Sequence, residues 1–124
     1  MMNPFLQVAV GGALGSVARY GVYRLMPVPG PGFPVATLIV NVTGSFVMGL
    51  LAALLAHRGG QHWAPFLLTG VLGGYTTFSA FSLDAMTLWE RGQAAGTMLY
   101  ILASVMLSLL AVVAGLAVGR GLFA

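Results

Sequence analysis

Polar side chains recur at helical spacing in an otherwise apolar segment near the C-terminus of the chain. Tyr100, Ser104 and Ser108 stand four residues apart, so a helix presents their hydroxyl groups on one face over about 12 Å. A single serine in a membrane helix often bonds to its own backbone, but three at one period can form a ladder of donors. Because the ladder contains no acidic residue, it suits an anion better than a cation.

A second group of such residues lies in the stretch GGYTTFSAFSLD, from Gly73 to Asp84. Gly73 and Gly74 each weaken a helix by about 1 kcal/mol relative to alanine, and the threonines that follow offer the backbone competing hydrogen bonds. We expect a helix break here; close packing of Gly70 and Gly74 against a neighbouring helix is the alternative. A break frees carbonyl oxygens, which protein, water or a cation must satisfy. It also creates a threonine-capped helix N-terminus that favours an anion.

Four further residues have two interpretations each. Phe78 and Phe81 share a helix face; they either pack, or point ring edges of partial positive charge at a small anion. Asn41, with Ser45 one turn later, either joins two helices or lines a path. Arg19 either extends to the membrane surface or borders an aqueous vestibule or polar network.

The elements that must position these residues are membrane helices. Hydrophobic residues make up 59% of the 124 residues and charged residues only 6%, against about 25% in a soluble domain. A span needs about 20 mostly apolar residues, and four such segments occur. They cover residues 5–26, 33–56, 63–89 and 96–118 of a single domain, residues 1–124. The sequence therefore predicts an all-α membrane protein with its third helix broken in mid-membrane and with consecutive helices antiparallel.

The ends of the first span carry two further signals. The proline-rich stretch PVPGPGFP, residues 27–34, forbids continued helix and ends the span. The N-terminus lacks a basic region before its apolar stretch, so we interpret it as a retained helix and not a signal peptide.

The scattered charges exclude several functions. Five arginines without a common patch do not suit nucleic acid, and a chain without cysteine has no thiolate metal site. His57 and His62 have no nucleophile or metal-ligand partner nearby in sequence, so we predict that the protein is not an enzyme.

The distribution of arginines between the loops also predicts no single orientation of the chain in the membrane. With a cytoplasmic N-terminus, Arg58 and Arg120 lie inside, whereas Arg24 and Arg91 lie outside. Loops of a membrane protein normally show a positive-inside bias, and here there is none. Either the chain has too few charges to show one, or it inserts both ways and pairs with an inverted copy.

Three blocks of sequence resemble the Fluc (CrcB) family of fluoride channels. GGALGSVARY resembles GGxxGAxxRY, ATLIVNVTGSF resembles GTLxVNxxGSF, and GGYTTFSAFSLD resembles GGFTTFSTFSxE. With the chain length and the serine stripe, the similarity covers nearly the whole chain. It implies an antiparallel dual-topology homodimer in the inner (plasma) membrane of a prokaryote. Two pores would pass fluoride passively out of the cytoplasm and confer fluoride resistance.

The resemblance also implies roles for single residues. The backbone carbonyls of Gly73 and Thr76 match those that hold a structural Na⁺ on the two-fold axis of the dimer. No organic cofactor is implied. Arg19 and Asp84 are assigned to the pore entrance. The residues assigned to the fluoride pore are Asn41, Phe78, Ser79, Phe81, Tyr100, Ser104 and Ser108.

The chain departs from the family pattern at five positions. Tyr75 replaces phenylalanine, Ser16 replaces alanine and Ala36 replaces glycine. Ala80 stands where threonine is common, and Asp84 is one methylene shorter than glutamate. The last two leave the details of conduction open.

Two other functions are alternatives. A small dual-topology multidrug exporter coupled to protons needs a carboxylate within the membrane, for which Asp84 is the only candidate. A non-transporting assembly subunit would use its polar residues only to join helices.

Overall fold

The computed structural model describes residues 3–26 and 32–123 and is helical throughout, with no strand in these ranges. The stretch from Gln61 to Glu90 forms one span of several segments. The helices are α1 (Pro4–Leu25), α2 (Val35–Arg58), a 3₁₀ turn (Gln61–Trp63), a π-helical segment (Pro65–Leu72), α3 (Gly73–Tyr75), α4 (Phe78–Glu90) and α5 (Ala94–Phe123).

Local sequence explains where the first helices begin and end. The Asn3 side chain accepts a hydrogen bond from the Phe5 amide at 2.7 Å, with Pro4 at the first helical position. Helix α1 ends at Leu25, just before the proline-rich stretch, of which residues 27–31 lie outside the described ranges. After α2 the chain turns at Gly59 and Gly60, whose φ angles of 76° and 84° favour glycine.

Three helical stretches of the described chain are long and apolar enough to cross a membrane: Val35–Arg58, Gln61–Glu90 and Ala94–Phe123. Helix α5 exposes a continuous set of large aliphatic side chains, including Leu102, Leu109 and Val113, as a lipid-facing helix does. The chain is therefore a multi-pass membrane protein. Helix α1 contains polar residues such as Gln7 and Arg19 and falls outside this group, so its crossing stays a prediction.

The helices associate as two close pairs, α2 with α5 and α1 with the first half of the third span. In both pairs glycine allows backbones to touch. A Cβ atom on Gly15 would overlap the carbonyl oxygen of Val71, and one on Gly49 would overlap that of Val112. Helix α4 also packs on α5, and there Leu88 and Tyr100 are buried. Small residues thus supply the packing that apolar burial cannot drive in lipid.

The third span is broken, but three residues beyond the first glycine of the pair. Gly73 and Gly74 remain helical, and the backbone becomes extended at Thr76 and Thr77. Gly74 lies against α1, since a Cβ atom there would be 2.6 Å from the carbonyl oxygen of Gly12. Both interpretations of the stretch therefore hold: a break occurs, and Gly74 serves close packing.

Candidate functional site

The break is held on one side by Asn41 of α2. The Asn41 side-chain Nδ2 donates to the Thr77 carbonyl oxygen at 3.0 Å, and the Thr77 amide donates to Asn41 Oδ1 at 2.8 Å. In a continuous helix the Thr77 amide would donate to the carbonyl of Gly73. Asn41 replaces that bond, so the amide side chain both joins two helices and ends the first half of the span.

Thr77 also begins the second half. Its Oγ1 accepts a hydrogen bond from the Ala80 amide at 3.1 Å, the geometry of an N-cap, and lies 3.3 Å from Ser79 Oγ. The prediction that a threonine caps this half-helix is confirmed. The Phe78 and Ser79 amides are left at the positive end of the helix dipole of α4.

Arg19 reaches the break from α1. Its Nε donates to the Gly74 carbonyl oxygen at 3.2 Å in a partly buried contact. Of the two interpretations from sequence, this contact favours a polar network inside the protein over extension to the membrane surface. The role of Arg19 at a pore entrance stays a prediction.

The carbonyl oxygens of Gly73 and Thr76 lie at the same break. The Thr77 amide donates to Asn41 instead of Gly73, and the Ala80 amide donates to the Thr77 hydroxyl instead of Thr76, so the hydrogen bonds described for this part of the chain include none to either carbonyl oxygen. Carbonyl groups at membrane depth need a partner. Uncharged carbonyl oxygens of this kind suit a hard cation such as Na⁺, and the Na⁺ site at these two residues stays a prediction.

A cavity of about 320 Å³ opens beside the break, between α2, α4 and α5. It brings together most of the residues assigned to the pore, from three different elements. Its lining is Asn41, Gly44, Ser45, Met48, Thr76, Thr77, Phe78, Phe81, Ser104, Val105, Ser108 and Val112.

The lining includes residues that the sequence did not single out. Val112 continues the stripe of Ser104 and Ser108 by one more turn, and Met48 follows Gly44 by one turn on α2. Helical periodicity could have found both as neighbours of the polar residues. Their apolar side chains gave no reason to choose them.

The serine stripe is divided between the cavity and the core. Ser104 is 6% exposed, and its Oγ has no hydrogen-bond partner among the described residues. A buried hydroxyl without a partner costs about 1–3 kcal/mol, so Ser104 has an unused hydrogen bond at the wall of the cavity. Ser108 lines the same wall. Tyr100 is wholly buried and does not line this cavity.

The rings of Phe78, Phe81 and Tyr100 pack one against the next, from the lining of the cavity towards Asp84. The rings of Phe78 and Phe81 lie 5.5 Å apart, and Phe81 packs on Tyr100 at 5.3 Å. Phe33 meets Tyr100 edge-on at 5.4 Å. The Tyr100 hydroxyl then donates to Asp84 Oδ2 at 3.1 Å.

Asp84 borders a second, smaller cavity of about 200 Å³ near the end of α1. The Tyr23 and Thr37 hydroxyl groups lie 3.1 Å apart in its wall. Ser79 is exposed and lines neither cavity, so its role in the pore stays a prediction. The described residues contain no cluster of acidic, histidine or cysteine side chains suited to a metal ion.

In a multi-pass helical protein, a broken helix beside a cavity with a few polar groups is typical of membrane transport proteins. The family model described as "CrcB-like protein, Camphor Resistance (CrcB)" matches residues 6–116. The chain therefore belongs to the CrcB family, as its three sequence blocks indicated.

Individual relatives support the same assignment. The chain is 70% identical, over the whole of both sequences, to the fluoride-specific ion channel FluC of Paracoccus denitrificans. It is 58% identical to FluC of Cereibacter sphaeroides, with 98% of each sequence covered. It is 57% identical to FluC of Rhizobium meliloti, over 98% of this chain and 99% of the relative. The prediction that the protein is not an enzyme agrees with these relatives.

Proposed function

We propose that this chain is a fluoride-specific ion channel that lets fluoride leave the cytoplasm passively. The observation that carries the proposal is the 70% identity to a protein named for that function, with both sequences aligned over their full length. The geometry supports it, because the larger cavity is lined by aliphatic, amide, hydroxyl and aromatic groups and by no acidic residue.

Three kinds of donor face that cavity. The Asn41 amide group has two protons; one is donated to the Thr77 carbonyl, which leaves the other available. Ser104 supplies a hydroxyl that has no partner among the described residues. The ring edge of Phe81 adds a weak positive potential. A small anion would exchange its water for these groups without meeting a fixed countercharge.

The structural Na⁺ is part of the proposal. The carbonyl oxygens of Gly73 and Thr76 would hold it, with equivalent oxygens from a second copy completing its coordination. The ion would satisfy backbone groups that the break leaves without hydrogen-bond donors. The bonds from Asn41 and Arg19 to the flanking residues support a fixed geometry at this point.

The assembly we propose is an antiparallel homodimer of four-span subunits in the inner membrane. Helix α1, the first in the chain, would be a span in addition to the three long apolar stretches, and it packs along the first half of the third span. The balanced arginines, with Arg24 and Arg91 opposite Arg58 and Arg120, support insertion in both orientations. A second, inverted copy would close the open side of each cavity and so give two pores.

Growth in fluoride tests the proposal in cells. Bacteria that lack their own fluoride exporter should regain growth in fluoride when this chain is expressed. The Asn41→Asp variant, expressed at the same level, should not restore it, because the negative charge repels the anion. Equal rescue by both proteins, or by neither, would count against a fluoride pathway through the Asn41 cavity.

A further inference from the structure

The hydroxyl of Tyr75 forms a contact that the proposed ion pathway does not use. Tyr75 is the last residue of α3, next to Thr76, and its Oη lies 3.0 Å from the Oγ1 of Thr43 on α2. Neither side chain lines the two cavities. The bond therefore joins the break to α2 from outside the path.

The direction of this hydrogen bond follows from the other contact of Thr43. A threonine hydroxyl has one proton to donate, and Thr43 donates it to the Ile39 carbonyl oxygen at 2.6 Å. Thr43 Oγ1 can then only accept from Tyr75. Tyr75 is the donor, and its hydroxyl has no other described partner.

The absence of a side chain at Gly44 of α2 also lets Tyr75 and Thr76 pack close to this helix. Gly44 is buried, and a Cβ atom there would overlap the Thr76 methyl group and lie 3.1 Å from the Tyr75 ring. Tyr75 and Thr76 thus pack against α2 at a position without a side chain. The hydrogen bond to Thr43 fixes the outer end of the Tyr75 ring.

We infer that Tyr75 is a positioning residue that holds the Thr76 carbonyl in place for the structural Na⁺ through its hydrogen bond to Thr43. The inference rests on the sodium site under the proposed function. Asn41 fixes Thr77 and Arg19 fixes Gly74. The Tyr75 hydroxyl supplies the attachment between them, on the residue adjacent to the carbonyl that binds the ion.

The test measures sodium binding without measuring fluoride. Purified protein is unfolded by heat in increasing NaCl, with N-methylglucamine chloride keeping the ionic strength constant. Binding to the folded state raises the unfolding temperature. Tyr75→Phe should raise the half-saturating Na⁺ concentration about fivefold, the factor that corresponds to a hydrogen bond of about 1 kcal/mol. Its unfolding temperature without Na⁺ should fall only as far as the loss of one hydrogen bond lowers it, so the Na⁺ dependence carries the test.

Matched variants separate positioning from a general loss of stability. Thr43→Val removes the acceptor and should weaken Na⁺ binding as Tyr75→Phe does, and the double variant should be no worse than either single one. Thr43→Ser keeps the hydroxyl and should bind Na⁺ like the wild type. Tyr20→Phe removes a hydroxyl from an exposed residue of α1 and should change nothing.

Two results would overturn the inference: a wild type that Na⁺ does not stabilise, or a Tyr75→Phe variant with unaltered Na⁺ dependence. Failure of the proposed function gives a different result. A protein that passes no fluoride, yet shows the sodium shift and its loss in Tyr75→Phe, would retain the positioning role and lose the channel assignment.

Discussion

The carboxamide of Asn41 and the backbone of Thr77 exchange two hydrogen bonds, of 3.0 Å and 2.8 Å, across the contact between α2 and the break. One residue therefore performs two tasks that sequence left as alternatives. It fixes where the third span breaks, and it lines the cavity beside the break. We therefore expect folding and permeation to be coupled at this side chain, and variants can separate them.

Replacing Asn41 should affect stability and flux to different degrees. Asn41→Leu leaves the Thr77 amide without its described partner and removes the side-chain bond to the Thr77 carbonyl, and it should lower the free energy of unfolding by about 2 kcal/mol. Asn41→Asp keeps an acceptor for the Thr77 amide but puts negative charge in the path. It should retain more stability than Asn41→Leu while fluoride flux falls at least about tenfold, a barrier of about 1.4 kcal/mol. Chemical denaturation and liposome flux measure the two effects; wild-type flux in Asn41→Asp would contradict the role in permeation.

Phe81 should matter for flux more than for folding. Phe81→Leu keeps an apolar side chain but removes the ring edge and its contact with Tyr100. A loss of about 1 kcal/mol in the interaction of the anion with the ring edge corresponds to about a fivefold loss of fluoride flux. Phe5→Leu is the control, since Phe5 is 86% exposed in the first turn of α1. If both variants conduct like the wild type, Phe81 serves packing alone.

Gly15 and Gly21 form a matched pair for testing the α1 contact. A Cβ atom on Gly15 would overlap the carbonyl oxygen of Val71, whereas one on Gly21 would meet nothing within 4 Å. Gly15→Ala should destabilise the protein by about 1–3 kcal/mol. Gly21→Ala should be neutral or slightly stabilising, because alanine favours helix. Thermal unfolding in detergent distinguishes them, and equal stability of the two variants would refute the close approach of α1.

Dual topology can be measured because the chain has no cysteine of its own. Gly121→Cys places one thiol at the exposed end of α5. A membrane-impermeant maleimide should label about half of the copies on intact spheroplasts and the rest after permeabilisation, as expected when charge gives no orientation bias. Labelling of all copies, or of none, before permeabilisation would rule out insertion in both directions.

Helix positions and pore candidates were predictable from sequence to different extents. Apolar runs predict the helices to within a few residues. Burying charge in lipid is costly, so each span must be a run of about 20 mostly apolar residues. The helical period of Ser104 and Ser108 and the isolated Asn41 identified three residues of one cavity wall. These signals are local, so a single sequence carries them.

The details that failed depend on contacts between distant residues. Local propensity placed the break at Gly73 and Gly74, but Gly74 packs on α1 and the extended residues are Thr76 and Thr77. The bond from Asn41 that selects Thr77 spans 36 residues. Tyr100 shares the period of the serines, yet aromatic rings bury it in the described chain, and its role in the pore stays a prediction. Periodicity gives a face of a helix, and only the packed neighbours decide what that face meets.

Anion flux from liposomes tests the central claim most directly. Purified protein is reconstituted into vesicles loaded with potassium fluoride or potassium chloride, and valinomycin is added to release the counter-charge. Fluoride should leave rapidly from vesicles that contain the protein, while chloride should stay inside as it does in protein-free vesicles. Equal release of both anions, or no release of fluoride, would contradict a fluoride-specific channel.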